Sequence, residues 1–322
     1  MRVLVTGGAG FIGSHLCEAL VARGDRVWVL DDLSTGRFEN IEHVPEITTI
    51  IDSTLNQEIV RDLVREVDVV YHLAATVGVQ LVVNHPIRTI VNNIRGTEVL
   101  LEETCRYRRR LLITSTSEVY GKGAGNVFRE DDDRVIGPTD KLRWCYAESK
   151  AIDEFLALAY WREKRHPAVL VRLFNTVGPR QTGRYGMVIP TFVRQALLGE
   201  ALTIFGDGQQ SRCFASVGDV VPALMALMDD TRTNGEIYNI GSNQRVTMEE
   251  LARRVIELTG SASTLRYVPY EQAYGPGYED MRHRAPCLDK IGAAIGYTPS
   301  TSLDQILDAV IASVREQIRR GA

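Results

Sequence analysis

A glycine-rich loop directly behind the first apolar run constrains the fold of this chain more than any other segment. Residues 2–6 read Arg-Val-Leu-Val-Thr, and glycines follow at positions 7, 10 and 13. A short Val-rich run is typical of a buried parallel strand. In dinucleotide-binding folds Gly7 would make a tight turn, Gly10 would let backbone approach a pyrophosphate, and Gly13 would let a helix pack on the sheet. The N–H groups at the N-terminus of that helix then face the phosphates.

A second apolar run supports this interpretation because it ends in an acidic residue. Residues 27–30 are Val-Trp-Val-Leu, and Asp31 follows 18 residues after Gly13. A carboxylate there accepts hydrogen bonds from both ribose hydroxyls of a dinucleotide. It also repels a 2′-phosphate, so the sequence favours NAD over NADP. The glycine spacing is G-x-x-G-x-x-G rather than the common G-x-G-x-x-G. Because the loop lies between a predicted strand and a predicted helix, we interpret it as a cofactor site and not as a plain glycine turn.

Strand-like and helix-like segments alternate along the first half of the chain. This alternation predicts an α/β fold with a parallel, doubly wound sheet, the Rossmann architecture. We expect strands near residues 2–6, 26–30, 47–51, 68–72, 110–115 and 168–173. The longest helices between them are expected at residues 11–23, 87–106 and 145–164.

The composition of the sequence changes beyond residue 175. Gly, Pro and Arg become frequent there, and the predicted helices and strands become shorter. Such stretches are loop signals. A further sheet strand is expected at 236–240, a helix at 247–259 and a last helix at about 303–320. The sequence therefore predicts two domains. Residues 1–175 and 214–262 would form the NAD-binding domain, and residues 176–213 and 263–322 a smaller α/β domain that binds the substrate.

Composition excludes several classes of protein. The chain has 322 residues, 44% of them hydrophobic and 24% charged, and a net charge of −4, which gives no reason to expect a nucleic-acid or membrane surface. No apolar stretch reaches about 18 residues, and a strand at the N-terminus leaves no room for a signal peptide. Five scattered cysteines favour free thiols in a reducing cytoplasm. The histidines show no H-x-x-x-H spacing, so we expect no metal site.

Tyr146 and Lys150 carry the clearest chemical signal downstream of the predicted cofactor site. Residues four apart on a helix share one face, so the phenol and the ammonium can point into one cleft. A free tyrosine has a pKa near ~10, and a cation beside it favours the phenolate and lowers that pKa. The pair can then take a proton from a substrate alcohol while a hydride leaves the same carbon. Alone, a Y-x-x-x-K pattern is more often a packed ring and a solvated lysine.

Several further motifs occur in the order typical of one family. They are Thr6–Gly13, His72-Leu73-Ala74-Ala75, Asn93 before Gly96-Thr97, the Tyr146/Lys150 pair, Phe174-Asn175-Thr176 before Gly178-Pro179-Arg180, and residues 202–208 leading to Arg212. With these blocks the chain resembles, over nearly its whole length, the extended short-chain dehydrogenases that act on nucleotide sugars. The resemblance implies an NAD-dependent enzyme of UDP-sugars.

Three segments resemble one branch, the UDP-glucuronate decarboxylases. Residues 115–121 read Ser-Thr-Ser-Glu-Val-Tyr-Gly, and Gly137-Pro138 precedes Lys141 and Arg143-Trp144. Residues 274–280, which close on His283-Arg284 and Pro286, complete the pattern. The resemblance implies that C4 of UDP-glucuronate is oxidised and that the carboxylate at C6 is then lost as carbon dioxide. The product would be a UDP-pentose or a UDP-4-keto-pentose.

The resemblance also implies roles for individual residues. Tyr146 would deprotonate the C4 hydroxyl, Thr116 would hold it, and Lys150 would assist. Glu118 and Arg284 would guide loss of the carboxylate and reprotonation. The implied NAD-binding residues are Gly7, Gly10, Phe11, Ile12, Gly13, Asp31, Asp52, Leu73, Ala74, Ala75, Asn93, Tyr146 and Lys150. The implied substrate-binding residues are Ser117, Asn175, Arg180, Val188, Phe205, Arg212, Tyr278 and Arg284.

Two departures from the branch leave alternatives open. Pro286 is followed by Cys287 where the decarboxylases commonly have Asp, and residues 181–187 are unlike the corresponding loop of the bacterial aminoarabinose enzyme. The alternatives are a UDP-sugar 4-epimerase acting on UDP-glucuronate or UDP-glucose, a 4,6-dehydratase, and a sensor that holds NAD without turnover. For single residues, Glu118 could be a capping or salt-bridging carboxylate and Arg284 a surface ion-pair partner. His72 is expected to be a packed histidine.

The resemblance further implies a homodimer. Helices near residues 87–106 and 145–164 would pair into a four-helix interface. Val99, Leu100 and Leu101 are expected to supply apolar surface there, although some of it must face the sheet.

Overall fold

A seven-stranded parallel sheet forms the centre of the protein. The computed structural model describes residues 1–123, 125, 127–183, 186–274 and 281–321. The sheet has the order β3-β2-β1-β4-β5-β6-β11. Its strands are β1 (Arg2–Thr6), β2 (Arg26–Asp31), β3 (Thr48–Ile51), β4 (Val69–His72), β5 (Arg110–Thr116), β6 (Ala168–Leu173) and β11 (Ile237–Ile240). The expected α/β fold with a doubly wound parallel sheet is confirmed, and each strand starts and ends within about one residue of its predicted position.

Strand order reverses between β2 and β4, which both pair with β1. Val3 lies opposite Val27 on one side and opposite Val69 on the other. In an open parallel sheet the crevice for ligands lies outside the carboxyl ends of the strands at such a reversal. The end of β1 runs directly into the glycine loop, so the fold brings that loop to this crevice.

Helices cover both faces of the sheet and build the second half of the chain. They are α1 (Phe11–Ala22), α2 (Gln57–Glu66), α3 (Val79–Asn84), α4 (Pro86–Arg106), α5 (Trp144–Lys164), α6 (Val188–Leu197), α7 (Val217–Asp229), α8 (Met248–Thr259), α9 (Tyr270–Tyr274), α10 (Asp289–Ile295) and α11 (Leu303–Arg319). A single 3-10 turn, Ser117–Tyr120, follows β5. The predicted helices at 11–23, 87–106, 145–164, 247–259 and 303–320 are all present.

Two apolar clusters hold the sheet between its helices. Leu16 and Leu20 of α1 pack with Leu224 of α7 on one face. Helices α2, α4 and α5 cover the other face, where Leu100 and Ala157 are buried. Because a fully buried Leu side chain is worth roughly 1.5–3 kcal/mol, these two layers supply much of the stability of the sheet.

The second half of the chain builds smaller sheets. Its strands are β7 (Thr176–Val177), β8 (Leu202–Phe205), β9 (Ser211–Cys213), β10 (Ala215–Ser216), β12 (Arg245–Thr247), β13 (Leu265–Val268) and β14 (His283–Arg284). β13 pairs with β8, and β12 and β14 flank β9. A third apolar cluster joins α6, α8 and α11.

The division into domains stays a proposal. Helix α8 was placed with the NAD-binding half, and in the structure Leu251 and Val255 of α8 lie in the cluster of α6 and α11. Helix α10 was placed with the substrate-binding half, and its Ile291 packs in the cluster of the central sheet. Each of these two helices therefore packs with the half of the chain to which the sequence did not assign it.

The residues considered for a dimer surface lie in the core instead. Val99, Leu100 and Leu101 of α4 are 5%, 0% and 0% exposed, because this part of α4 faces the sheet and α2. They supply no surface apolar area to a partner. The five cysteines are free thiols. Among the helices of the described residues, none combines the length and the apolar character that a membrane span requires.

Candidate active site

A deep cleft opens along the carboxyl ends of the sheet strands, between the two halves of the chain. Its volume is about 650 Å³. One wall carries most of the residues predicted to bind NAD, and the opposite wall comes from the second half. The predicted residues that line it are Gly7, Gly10, Phe11, Ile12, Gly13, Asp31, Asp52, Leu73, Ala74, Ala75, Thr116, Ser117, Glu118, Tyr146, Asn175, Arg180, Val188, Phe205, Arg212 and Arg284. The structure therefore brings residues from distant motifs to one place.

The glycine loop is as tight as the sequence predicts. A Cβ on Gly13 would lie 2.1 Å from the carbonyl oxygen of Gly7, so α1 packs against the loop only with glycine there. Gly7 has a φ of +73°, and a Cβ on it would lie 2.7 Å from the backbone nitrogen of Ala74. Helix α1 begins at Phe11 without a side-chain cap. Its first N–H groups can therefore bind phosphate oxygens.

Asp31 lies where a ribose is expected. The backbone N–H groups of Ala9 and Leu33 each donate to one of its carboxylate oxygens, both at 2.9 Å. Burial raises the pKa of Asp31, and these two hydrogen bonds oppose that change. Each oxygen keeps a lone pair that can accept a ribose hydroxyl. Together with the close-packed loop, this carboxylate makes the wall a good fit for NAD.

Asn93 supports the cleft from behind. Its side-chain oxygen accepts from the backbone N–H of Thr76 at 2.8 Å, and its amide donates to Ser149 at 3.1 Å. The neighbouring Asn92 lines the cleft, whereas Asn93 is 1% exposed. Asn93 therefore links the segment after β4 to helix α5, and the structure places it behind the cleft wall; its predicted contact with NAD stays a prediction.

Tyr146 projects from the first turn of α5 into the cleft, opposite the end of β5. The sequence predicted a lowered pKa for this phenol, and the structure shows the reverse. Burial raises the pKa of Tyr146, and the charge of Glu118 raises it further, while Thr116 and the charge of Arg284 act against the rise. Tyr146 lies beside Thr116, so both side chains could contact the same substrate hydroxyl, as predicted.

Lys150 explains part of that difference. Its ammonium donates to the carboxylate of Asp153 at 2.7 Å, one turn further along α5. Lys150 is 2% exposed and Asp153 is fully buried. The described residues that line the cleft include Tyr146 but not Lys150. Sequence reasoning missed Asp153, although an acid three residues after a lysine on a helix is a visible signal.

Glu118 lies between two arginines. Its Oε2 accepts from Arg143 at 2.8 Å, and its Oε1 accepts from Arg284. Burial would raise the pKa of Glu118, but the charges and hydrogen bonds of Arg284 and Arg143 outweigh it and lower the pKa to about 2. The carboxylate therefore stays ionised at neutral pH. This explains why it holds both guanidiniums in place.

Arg143 is a residue of the cleft for which the sequence analysis predicted no role of its own. It precedes Tyr146 by three residues, lines the cleft and lies 4.7 Å from the ring centre of Trp144. Arg284 donates with its other terminal nitrogen to the side-chain oxygen of Asn175 at 2.7 Å. The Arg143-Trp144 pair was noted only as part of a motif. A cation in the turn before a predicted catalytic tyrosine was the available signal.

The two departures from the expected pattern differ in their distance from the cleft. Cys287 is buried outside it, and its backbone N–H donates to the carbonyl of Phe128 at 2.7 Å. Gln181 and Met187 line the cleft. The described part of this loop, residues 181–183, 186 and 187, therefore contacts the substrate space, whereas the cysteine lies just after the strand that carries Arg284.

The second wall is largely apolar with cations at its edge. Val188 begins α6, Phe205 ends β8 and Arg212 lies on β9. Arg180 also faces the cleft and is paired with Glu18 at 2.5 Å. Tyr278, the remaining predicted substrate residue, lies outside the described residues. Apolar surface with peripheral arginines suits a uracil ring and a diphosphate.

Within the part of the chain that the structure describes, no group of three or more His, Cys, Asp or Glu side chains is placed to hold a metal ion.

Comparison with known proteins places the chain among enzymes of one kind. The model of the NAD dependent epimerase/dehydratase family matches residues 3–241. A UDP-N-acetyl-alpha-D-glucosaminuronate decarboxylase of Bacillus cytotoxicus is 42% identical over 317 residues, which cover 98% of each chain. A UDP-glucuronic acid decarboxylase of Arabidopsis thaliana is 36% identical over 318 residues, covering 99% of this chain and 69% of the relative.

Solved structures give the same picture. The structure of a UDP-glucuronic acid 4-epimerase from Bacillus cereus, in complex with UDP-glucuronic acid and NAD, superposes with a TM-score of 0.87. The two chains are 29% identical, and the match covers 98% of this chain and 100% of the other. The described cleft is thus the cleft of an enzyme that uses NAD.

Proposed function

Because the chain belongs to the NAD-dependent epimerase/dehydratase family, we propose that it oxidises C4 of a UDP-hexuronate and releases C6 as carbon dioxide. One observation carries the proposal: two guanidiniums, those of Arg143 and Arg284, bind the single carboxylate of Glu118 beside Tyr146. Both guanidiniums also line the cleft, where their N–H donors suit a second carboxylate. A hexuronate has that carboxylate at C6, whereas a neutral hexose has none.

The geometry also suits recognition of a carboxylate. A guanidinium presents several N–H donors in a planar fork that matches carboxylate oxygens, and such charge-assisted bonds are among the strongest in proteins. The Glu118 carboxylate fixes the orientation of both forks before substrate arrives. Preorganised donors cost little reorganisation at the moment of reaction. The substrate carboxylate can therefore be held close to Tyr146.

The reaction follows from this placement. Tyr146 takes the proton of the C4 hydroxyl, and Thr116 holds that hydroxyl in position. Bound NAD would accept the hydride from C4. The resulting C4 ketone lies β to the C6 carboxylate, so the C5–C6 bond can break with its electron pair delocalised onto the ketone oxygen. Carbon dioxide leaves, and a proton from another donor adds at C5.

Glu118 takes a narrower role than the resemblance implies. A carboxylate with a pKa of about 2 is ionised at neutral pH and cannot deliver a proton to C5. We assign it to holding Arg143 and Arg284. Arg284, which also contacts Asn175, is then the group that steers departure of the carboxylate.

Two substrates fit this proposal. The bacterial relative is named for UDP-N-acetyl-alpha-D-glucosaminuronate and the plant relative for UDP-glucuronic acid. They differ only at C2 of the sugar, and both carry the C6 carboxylate. The two substrates should be compared in the same assay. The ratio of their kcat/KM values measures how strongly the enzyme prefers one substituent at C2 over the other.

A 4-epimerase is the second candidate. The similarity to a UDP-glucuronic acid 4-epimerase favours it, because inversion at C4 through a C4 ketone would use the same tyrosine and the same cofactor. An epimerase must keep the carboxylate of its ketone intermediate. The two reactions are separated by incubating the protein with each UDP-hexuronate and NAD and measuring carbon dioxide and the nucleotide-sugar mass. Loss of the mass of carbon dioxide supports the decarboxylase, and an unchanged mass with a C4 epimer supports the alternative.

We further propose that the protein is a cytoplasmic homodimer. Five free cysteines suit a reducing compartment. Apolar side chains lie exposed on α4 and α5, the helices expected to pair between subunits. They are Ile87, Ile90, Val91, Ile152 and Phe155, with Ile87 79% and Phe155 65% exposed. Such a cluster on two adjacent helices is typical of an interface between protein chains.

A further inference from the structure

A buried set of polar side chains lies behind the cleft and leads from the glycine loop to Lys150. Thr6, the last residue of β1, lies 2.7 Å from Nδ1 of His72, and Nε2 of His72 lies 3.1 Å from Oγ1 of Thr97. Thr97 on α4 also faces Asp153 and lowers its pKa. Asp153 in turn binds Lys150 at 2.7 Å. All five side chains are buried.

Asp153 has no part in the reaction described above, yet its charge is costly. It is fully buried, and its Oδ1 has no hydrogen-bond partner among the described residues. Burial raises the pKa of Asp153, while Lys150 and Thr97 lower it. A buried charge persists when a partner compensates it, and here Lys150 is that partner.

Other titratable groups near this pair come from five elements. Burial and the charge of Lys150 lower the pKa of His72 on β4 to about 3, so this ring is neutral. Glu154 on α5 is bound to Arg172 on β6 at 2.7 Å. Around Tyr146, Glu118 comes from the 3-10 turn and Arg284 from β14. Asp153 is the member of this set that directly contacts Lys150.

We propose that Asp153 is a positioning residue: it holds the Lys150 ammonium behind the cleft and so sets the pH at which Tyr146 acts as a base. An ammonium with a carboxylate 2.7 Å away presents a dipole to the phenol rather than a full positive charge. The phenolate is then stabilised less, and Tyr146 keeps its proton to higher pH. The proposal rests on the proposed function in that Tyr146 is the base.

The direct test titrates Tyr146 without any substrate. The tyrosinate absorbance of the Tyr146→Phe variant is subtracted from that of wild type at each pH, which leaves the titration of Tyr146 alone. The same subtraction is made between two proteins that both carry Asp153→Asn, one with Tyr146 and one with Tyr146→Phe. We expect deprotonation to begin at a pH lower by about one unit in Asp153→Asn, because the negative charge of Asp153, which raises the pKa of Tyr146, is removed. Equal titration in the two backgrounds overturns the proposal.

A second test uses turnover of the UDP-hexuronate with NAD. The acid limb of the kcat/KM profile reports deprotonation of the base in the free enzyme. In Asp153→Asn this limb is expected to move to lower pH by a similar amount. Thr97→Val is the matched control: it removes the neighbouring hydroxyl but leaves the ion pair, so its acid limb stays near that of wild type. An equal shift in Thr97→Val overturns the proposal.

The two tests separate this proposal from the proposed function. A wild-type protein that turns over no UDP-hexuronate refutes the proposed function, and the tyrosinate titration still decides the role of Asp153. If Asp153→Asn does not fold, Asp153→Ser is measured in its place. Failure of both variants to fold, with Thr97→Val folded, would assign Asp153 to stability alone and overturn the proposal.

Discussion

Arg143 donates a hydrogen bond of 2.8 Å to Glu118 from the position three residues before Tyr146. The start of α5 therefore delivers two functional groups to the cleft, a guanidinium and a phenol. Glu118 reaches them from the turn after β5, and Arg284 closes the group from the second half of the chain. This arrangement leads to the following predictions.

Replacement of Arg143 should affect the hexuronate far more than the cofactor. Arg143→Gln removes one of the two guanidiniums beside Glu118, and with it the charged donors that suit the C6 carboxylate. We expect kcat/KM for the UDP-hexuronate to fall roughly a hundredfold, which corresponds to about 3 kcal/mol of transition-state stabilisation. The NAD dissociation constant should stay within about twofold. Arg129→Gln, at an exposed arginine outside the cleft, is the matched control and should leave both values unchanged.

Asp31 should decide between NAD and NADP. Asp31→Asn keeps the size of the side chain but loses the charge that favours ribose hydroxyls and repels a 2′-phosphate. We expect NAD affinity to fall about tenfold, or about 1.4 kcal/mol, and the preference for NAD over NADP to narrow. Titration calorimetry with both cofactors measures this. Glu39→Gln, at an exposed acid that does not line the cleft, should bind both cofactors as wild type does; an equal effect there would refute the role of Asp31.

His72 should make stability depend on pH. Burial lowers its pKa to about 3 from 6.5, so the unfolded chain binds a proton more readily than the folded one. This contribution is fully present above pH 6.5 and is lost as pH falls toward 3, at about 1.4 kcal/mol per unit. Between pH 7 and 5 the loss is about 2 kcal/mol.

Denaturant unfolding of wild type and His72→Gln at several pH values tests this contribution. The variant should show a shallower decline between pH 7 and 5. A residual slope is expected in both proteins because the pKa of His166 is also lowered by burial, to about 4. Parallel curves for the two proteins would contradict the assignment to His72.

Phe155 should be central to self-association. Phe155→Glu places a charge in the exposed apolar surface of α4 and α5 while leaving the cleft intact. Light scattering should give a dimer mass for wild type and a monomer mass for the variant. Leu198→Glu is the control and should remain dimeric. Leu198 is also an exposed apolar residue, but it lies at the end of α6 and not on α4 or α5. A monomeric wild type at micromolar concentration would rule out the dimer.

The fold was predictable from the sequence because the buried strands and the turn into α1 each have a clear local pattern. Continuous apolar runs gave the seven parallel strands, and the glycines at 7 and 13 gave the turn into α1, where no Cβ fits. Tyr146, Glu118 and Arg284 were predicted from motifs, and the structure brings them to one cleft.

What the sequence missed depends on packing between distant elements. The orientation of Lys150 toward Asp153 depends on how closely α5 is buried against α4 and the sheet, which no local pattern specifies. The same burial raises the pKa of Tyr146, where sequence spacing alone predicted a decrease. Val99 was considered for a surface, but the rotation of α4 that buries it is set by the sheet beneath.

One measurement tests the central claim most directly: a single-turnover reaction of wild type and Arg284→Ala with a UDP-hexuronate and NAD, following NADH and carbon dioxide together. For wild type we predict NADH formation accompanied by release of carbon dioxide and a nucleotide sugar lighter by that mass. In Arg284→Ala, carbon dioxide release should slow by roughly a hundredfold while NADH still forms. A wild-type product of unchanged mass, epimerised at C4 and without carbon dioxide, would contradict the account.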